Sequence, residues 1–376
     1  MDRRDSILKY IAKEQRGIEI GPWFGPLAPK RDGYQCLALD IADTDTLKRR
    51  ASEDVRRPPE DIDRIEEVDL LGSSTDISEL VKRRHQLGTF DYVVSSHNVE
   101  HMPNPIRFFQ GCGRVLKQGG IISMAVPDRR ACFDYFRPLT KLAEWIEASL
   151  EERNRPTFAQ RFEFDTTFAQ YDDGKQSVSS FHCKVQPSMV SAIFNLDTAF
   201  QQWLDRRQQK DPPYLDTHCW VFTPASFELL IRDSAYLGLI PFELVEISET
   251  AGNEFYVHLR ATTSTHTLRP ANYEAIRNSI LRRVLDEAAV TSALRYDAEL
   301  ESKRAAEPDA QSVDAKHPHD GVEAEPAPVD TRLNVANLRI RQLEEAMAEL
   351  HASSSWRLTE PLRRIVTHLR RLRASN

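Results

Sequence analysis

Residues able to do chemistry gather at several places in this sequence. The first is Gly17-Ile18-Glu19-Ile20-Gly21-Pro22-Trp23-Phe24-Gly25, read with Asp40 behind it. An apolar run meets an acid, then Gly21, then Gly25. Glycine takes backbone conformations that other residues resist and lets a ligand approach the main chain. A second apolar run, Cys36-Leu37-Ala38-Leu39, ends in Asp40, where a carboxylate can accept hydrogen bonds from a ribose diol. This is the logic of a nucleotide site at the carboxyl edge of an open α/β sheet. The spacing is not the G-x-G-x-x-G of a dinucleotide fold. The competing reading is an ordinary strand-turn, with Glu19 and Asp40 in turn and cap roles.

The second place is His97-Asn98-Val99-Glu100-His101. Histidine has an ordinary pKa that suits a base at neutral pH. The run also matches the zinc-protease spacing H-x-x-E-H. Zinc in that pattern needs both histidines on one helix face and a third ligand. His97 ends an apolar run that reads as a strand, so no metal is expected here. His218, just before a later helix, is a further candidate base. The third place is Asp128, Arg129, Arg130, Asp134 and Arg137. Arginine forks suit phosphate or carboxylate groups; an internal ion-pair network is the equal alternative. Asp211-Pro212-Pro213-Tyr214 matches the amino-methylase motif that stacks a flipped base. It lies in a polar loop far from the strand that motif follows, and the chain carries a net charge of -7, so nucleic acid is not expected as a partner.

These residues need a scaffold. Phe90–His97 and Gly119–Val126 read as buried strands. Ile106, Phe109, Cys112 and Leu116 have helical spacing between them. Phe242–Ile247 and Glu254–Leu259 alternate as an antiparallel hairpin, and Pro224 opens a helix. The order of elements predicts an α/β doubly wound sheet. A long insertion from about 129 to 217 has helical stretches near 138–152 and 187–208.

The chain resembles the class I S-adenosylmethionine-dependent methyltransferases. The resemblance rests on Glu19-Ile20-Gly21, Asp40, Phe90-Asp91-Tyr92-Val93-Val94, Val99-Glu100-His101-Met102 and Leu116-Lys117-Gln118-Gly119-Gly120. More narrowly it is similar to methyltransferase-domain proteins of bacterial surface-polysaccharide (O-antigen or capsule) gene clusters. That similarity runs through Pro26–Lys30, Asp40–Thr44, Ser96–His101, Ala125–Arg130, Phe133–Pro138 and His218–Pro224, over roughly residues 15 to 260. The usual glycine-rich loop is reduced to Gly21 and Gly25. The resemblance implies a Rossmann-like sheet with a helical insertion after the fifth strand and a helical C-terminal tail. It implies S-adenosyl-L-methionine as cofactor. Glu19 would hold the Gly21 turn or the amino acid moiety, Gly21 and Gly25 would pass under the cofactor, and Asp40 would take the ribose. Asp69 would reach the adenine amine, while Ser96 and His97 face the methyl group. His97, His101 and His218 are the candidate bases, and Asp128, Arg129, Arg130, Asp134 and Arg137 the candidate acceptor residues. The expected activity is O-methylation of a sugar or glycan, lipid- or nucleotide-linked. The alternative is a catalytically inactive scaffold that recruits glycan-synthesis enzymes to the membrane.

Texture divides the 376 residues into a domain at 1–265, a helical extension at 266–304, a disordered linker at 305–331 and a tail at 332–376. The linker is rich in Pro, Ala, Asp and Glu. In the tail Leu333, Ala336, Ile340, Leu343, Met347 and Leu350 have coiled-coil spacing, compatible with a homodimer. Leu358, Leu362, Ile365, Leu369 and Leu372 then form an apolar stripe flanked by arginines. Such a basic amphipathic helix fits an anionic membrane surface or a glycosyltransferase partner. No run of about 18 apolar residues occurs, and the five scattered cysteines read as core residues of a reducing compartment. A cytoplasmic protein, peripheral at the inner membrane face, is expected.

Overall fold

Strand β1 (Arg16–Ile20) is central to the fold and is preceded by the short helix α1 (Arg3–Ile7). Then come β2 (Gln35–Asp40), α2 (Thr44–Glu53), α3 (Pro59–Asp63), β3 (Val68–Leu71), α4 (Ile77–Lys82), β4 (Phe90–Ser96), α5 (Pro105–Val115) and β5 (Leu116–Pro127). The insertion follows with α6 (Leu142–Leu150), α7 (Phe158–Thr167), β6 (Ala169–Asp172), β7 (Ser177–Val178), β8 (Val190–Ala192) and α8 (Leu196–Gln208). Helix α9 (Pro224–Tyr236), β9 (Phe242–Ile247), β10 (Glu254–Ala261) and α10 (Pro270–Ala306) close the chain as described. This computed structural model describes residues 2–54, 58–263 and 270–306, with backbone alone at 270 and 290–306. They belong to one compact unit, Met1–Pro308. The linker beyond 306 and the coiled-coil-like tail at 332–376 lie outside the described residues.

The main sheet has the order β3-β2-β1-β4-β5-β10-β9. Strands β1 to β5 pair in parallel, and β10 is antiparallel to both β5 and β9. A doubly wound parallel half that ends in a reversed hairpin is the Rossmann-like α/β sheet of class I methyltransferases, and the strand order itself carries that assignment. Successive side chains of a strand point to opposite faces. Ile18 and Ile20 of β1 and Val93 of β4 therefore join the larger core under α4, α5, α6 and α9. Tyr92 and Val94 join a smaller core with Ile7, Leu27 and Cys36 on the other face. Gly17 lies on that second face, where a Cβ would stand 2.0 Å from the Tyr92 ring.

Local signals set the helices. Asn104 accepts from Arg107 N and Pro105 occupies the first turn of α5. Thr223 and Pro224 do the same for α9. Between β1 and β2, residues 21–34 contain a 3-10 turn at Lys30–Asp32 and no α-helix. The reduced glycine pattern thus has a structural counterpart: no helix N-terminus follows the loop.

The insertion differs from expectation. A small sheet is ordered β7-β6-β8; its strands β6 and β7 and helix α7 stand where no element was foreseen, and β8 replaces part of an expected helix. The helix expected near 187–208 starts only at Leu196, capped by Asn195; residues 187–189 form a 3-10 turn and 190–192 are β8.

Candidate active site

At the carboxyl ends of β1, β2 and β4 the chain opens into a cleft of about 750 Å³. Its wall includes Gly21, Asp40, Arg50, Ser73, Ser74, His97, Asn98, His101, Tyr214 and Asp216. This is the edge at which open α/β sheets bind ligands. Gly21 has φ of 60°, and a Cβ there would meet nothing within 4 Å. Its main chain is therefore bare toward the space above it. Asp40 sits at the tip of β2 and accepts from Ala42 N at 3.0 Å. Burial raises its carboxyl above the ordinary aspartate value, against the backbone donations from Ala42 and Ile41.

The other residues named from sequence are distributed less simply. Glu19 is buried, and both its oxygens are used: Leu27 N donates to Oε1 at 2.7 Å and Ala28 N to Oε2 at 2.9 Å. Burial pushes its pKa up to about 7, opposed by these two backbone bonds. It closes the loop after Gly21. Gly25 closes a turn on Pro22 O, away from the cleft wall. Asp69 Oδ2 accepts from Lys30 Nζ at 2.6 Å and from Ala38 N at 2.8 Å, within the body of the sheet; Ser73 and Ser74 hold the cleft position after β3. Ser96 accepts from Arg3 at 2.8 Å.

His97 lies in the cleft with φ of 48°. A left-handed backbone at a non-glycine residue costs on the order of 1–3 kcal/mol and marks a position worth a functional reading. Its Nε2 bonds Glu254 Oε2 at 2.8 Å, and Arg3 pairs with the same carboxylate at 2.7 Å. Burial lowers the His97 pKa, but the Glu254 bond and the Glu100 charge outweigh it and the net shift is upward. His101 also faces the cleft. Its Nδ1 bonds Asp216 Oδ1 at 3.0 Å, and its pKa is likewise raised, burial being outweighed by Asp216 and Glu100. His218 is buried behind it, ring edge to face at 4.5 Å, with Nδ1 bonded to Asp134 Oδ2 at 2.6 Å. The 3-10 turn Val99–His101 is tied to the segment before α9 because Cys219 N and Trp220 N donate to Glu100 O. That tie brings the two histidines together.

The five candidate acceptor residues have internal partners. Asp128 is buried and bonds Arg130 and Thr250. Asp134 pairs with Arg137 at 2.8 Å, Arg137 also donates to His218 O, and Arg129 donates to Arg137 O. Arg137 is 1% exposed. The internal network is the arrangement the structure holds, and none of the five lines the cleft.

A second concavity of about 220 Å³ lies between α7 and α8. Arg206, Arg207, Lys210, Trp203 and Phe158 line it, and Tyr214 lines both it and the cleft. Arg207 stands over the Phe158 ring at 5.0 Å. Asp216, Glu254 and this groove were not foreseen. Asp216 and His101 meet only through the fold, and in the sequence Tyr214 stands out only as the end of Asp211-Pro212-Pro213-Tyr214.

A family model described as a methyltransferase domain matches residues 1–234. No curated protein matches the sequence. Solved structures that align include a protein from Pyrococcus horikoshii OT3, at 15% identity over 68% of this chain and 86% of that one, TM-score 0.35. An S-adenosylmethionine-dependent methyltransferase from Methanosarcina mazei aligns at 14% identity over 70% and 100% of the two chains, TM-score 0.34. Another from Aquifex aeolicus aligns at 12% identity over 69% and 90%, TM-score 0.33. The family match covers more than half of the sequence and ends beyond every residue of the cleft wall, so the chain belongs to the methyltransferase-domain family and is an S-adenosylmethionine-dependent methyltransferase of class I fold.

Proposed function

We propose that this enzyme O-methylates a sugar of bacterial surface-polysaccharide biosynthesis, carried on a nucleotide or lipid phosphate. The observation that carries the acceptor class is the groove between α7 and α8. It sets Arg206, Arg207 and Lys210 beside Trp203 and Tyr214 and shares Tyr214 with the cleft. Guanidinium and ammonium groups suit phosphate oxygens, and aromatic rings give apolar faces to a sugar or base.

S-adenosylmethionine supplies a methyl group already activated on a sulfonium, so the protein mainly positions and orients. The residues present fit it: Gly21 offers open main chain, Asp40 suits the ribose diol, and Ser73 and Ser74 give the cleft a polar wall. An acceptor hydroxyl must lose its proton as the new bond forms. His101 combines cleft exposure with an orienting carboxylate, Asp216. It is the residue best placed to take that proton, directly or through a group it holds. In this reading the tail at 332–376 keeps the enzyme near an anionic membrane face or a glycosyltransferase, where lipid-linked sugars are found.

Calorimetric titration with S-adenosylmethionine tests the site. We expect binding that weakens about tenfold or more in Asp40→Ala, the value of a charge-assisted hydrogen bond. Labelled methyl transfer to nucleotide-linked sugars then tests the acceptor. Absence of cofactor binding supports the scaffold reading instead, and transfer only to acceptors without phosphate sinks the groove argument.

A further inference from the structure

Glu100 is fully buried, and neither of its carboxylate oxygens has a hydrogen-bond partner. A buried polar group left so costs on the order of 1–3 kcal/mol, and a native fold keeps one when something else satisfies it. Histidines stand around it, with His97 Nδ1 at 3.6 Å from Oε1. The ligand atoms of Glu100, His101 and His218 lie within 4.8 Å of one another, with His101 Nε2 at 3.8 Å from Glu100 Oε1. Each histidine is held through its other nitrogen, His101 Nδ1 by Asp216 at 3.0 Å and His218 Nδ1 by Asp134 at 2.6 Å. A carboxylate on Nδ1 fixes the tautomer with its lone pair on Nε2 and makes that nitrogen more basic, the arrangement found behind metal-bound histidines.

We propose that Glu100, His101 and His218 bind a divalent first-row transition-metal ion of the zinc class. Two imidazoles and one carboxylate are a ligand set such ions accept, with a coordination position left over. Ligand atoms about 2 Å from a tetrahedral ion stand roughly 3.3 Å apart, so the three need draw in by about an ångström. The H-x-x-E-H spacing directs attention to the wrong pair. His97 Nδ1 also stands 3.6 Å from Glu100 Oε1, but His97 lies outside the mutually close set of ligand atoms, and the second histidine comes from the segment before α9. The ion sits behind the cleft wall at His101; with Asp216 on Nδ1 and the ion on Nε2, His101 itself no longer takes the acceptor proton and acts through the ion, which suits polarising an acceptor hydroxyl. That use rests on the methyl-transfer reading; the ion site itself does not.

The test uses the full chain, stripped with chelator and titrated with Co²⁺ followed by visible absorption, and with Zn²⁺ by calorimetry. One ion per chain is expected. Glu100→Gln, nearly isosteric, and His101→Asn should each weaken binding about 100-fold or more. Asp216→Asn, which acts only through His101, should weaken it about 10–100-fold. Circular dichroism of each variant shows that it has folded. No ion bound by the native chain, or an affinity unchanged in both Glu100→Gln and His101→Asn, overturns the proposal. S-adenosylmethionine titrated in parallel separates the two readings: cofactor binding without an ion sinks the metal site alone, and an ion without cofactor binding sinks the enzyme reading alone.

Discussion

Glu19 and Asp40 end neighbouring parallel strands and do different work. Glu19 points into the smaller core and spends both oxygens on the backbone of Leu27 and Ala28. Asp40 reaches the cleft. Sequence shows an acid at each strand tip but not which face it takes, because a one-residue shift in the strand end exchanges core for cleft. Asp69 illustrates the same point from the other side, since the loop after β3 replaces it in the cleft with Ser73 and Ser74. Glu254 could not be singled out at all. It is one more alternating residue of a hairpin strand until the fold sets it against His97 and Arg3. Burial raises its pKa, but the His97 and Arg3 hydrogen bonds outweigh that and hold it at about 2. A carboxyl whose pKa is depressed on folding adds stability that is complete above its unfolded value and disappears as pH falls through the folded one. The window runs from about 4.5 down to about 2. Because Arg3 is 44% exposed, the contribution is discounted to about 2 kcal/mol. Denaturant unfolding of the native chain and Glu254→Gln at pH 6 and pH 3 measures it. Because pH 3 lies inside that window, the difference between them should shrink there by somewhat more than half of that amount, about 1.2 kcal/mol; a pH-independent difference contradicts the assignment.

At the scale of elements, the strands with strong apolar runs were legible, and so were α5, α9 and the closing hairpin. Each buries a continuous or alternating apolar set, so tertiary packing agrees with local pattern. The insertion was legible only in part. Its strands β6, β7 and β8 have four, two and three residues, too few to show a period of two. Helix α7 did carry a signal, Thr157 with Gln160 as a capping box. Arg137, open in the sequence between an acceptor contact and an internal ion pair, has internal partners in the fold. Its guanidinium joins Asp134, the His218 carbonyl and Glu163, and so fastens the insertion to the segment that carries His218. Removing one partner of a buried ion pair costs about 3–5 kcal/mol. Arg137→Met should therefore lower Tm by about 6 °C or more in a domain of this size. An acceptor-binding arginine would instead weaken acceptor binding and leave Tm in place, so thermal unfolding by calorimetry decides between the two.

For the whole molecule, the family match stops at residue 234, inside α9, yet the folding unit does not. Strand β10 comes later in the chain and inserts between β5 and β9; without it β5 would present an open, apolar edge. The long helix α10 reaches back further still. Tyr273 donates to Asp233 at 2.6 Å and stacks on Tyr236 at 4.0 Å. Arg277 and Arg283 pair with Asp233 and Glu228, and both carboxylates are buried under the helix. A chain ending at Thr263 keeps the whole sheet but bares that face of α9 and strips Asp233 of the Tyr273 and Arg277 contacts. We expect it to fold with Tm lower by about 5 °C or more, while a chain ending at Phe242 or earlier should not fold. Equal thermal stability for chains ending at Thr263 and at Pro308 would make α10 an appendage. A loss confined to the shorter chain makes it part of the domain, and shifts the start of any independent tail to beyond residue 306.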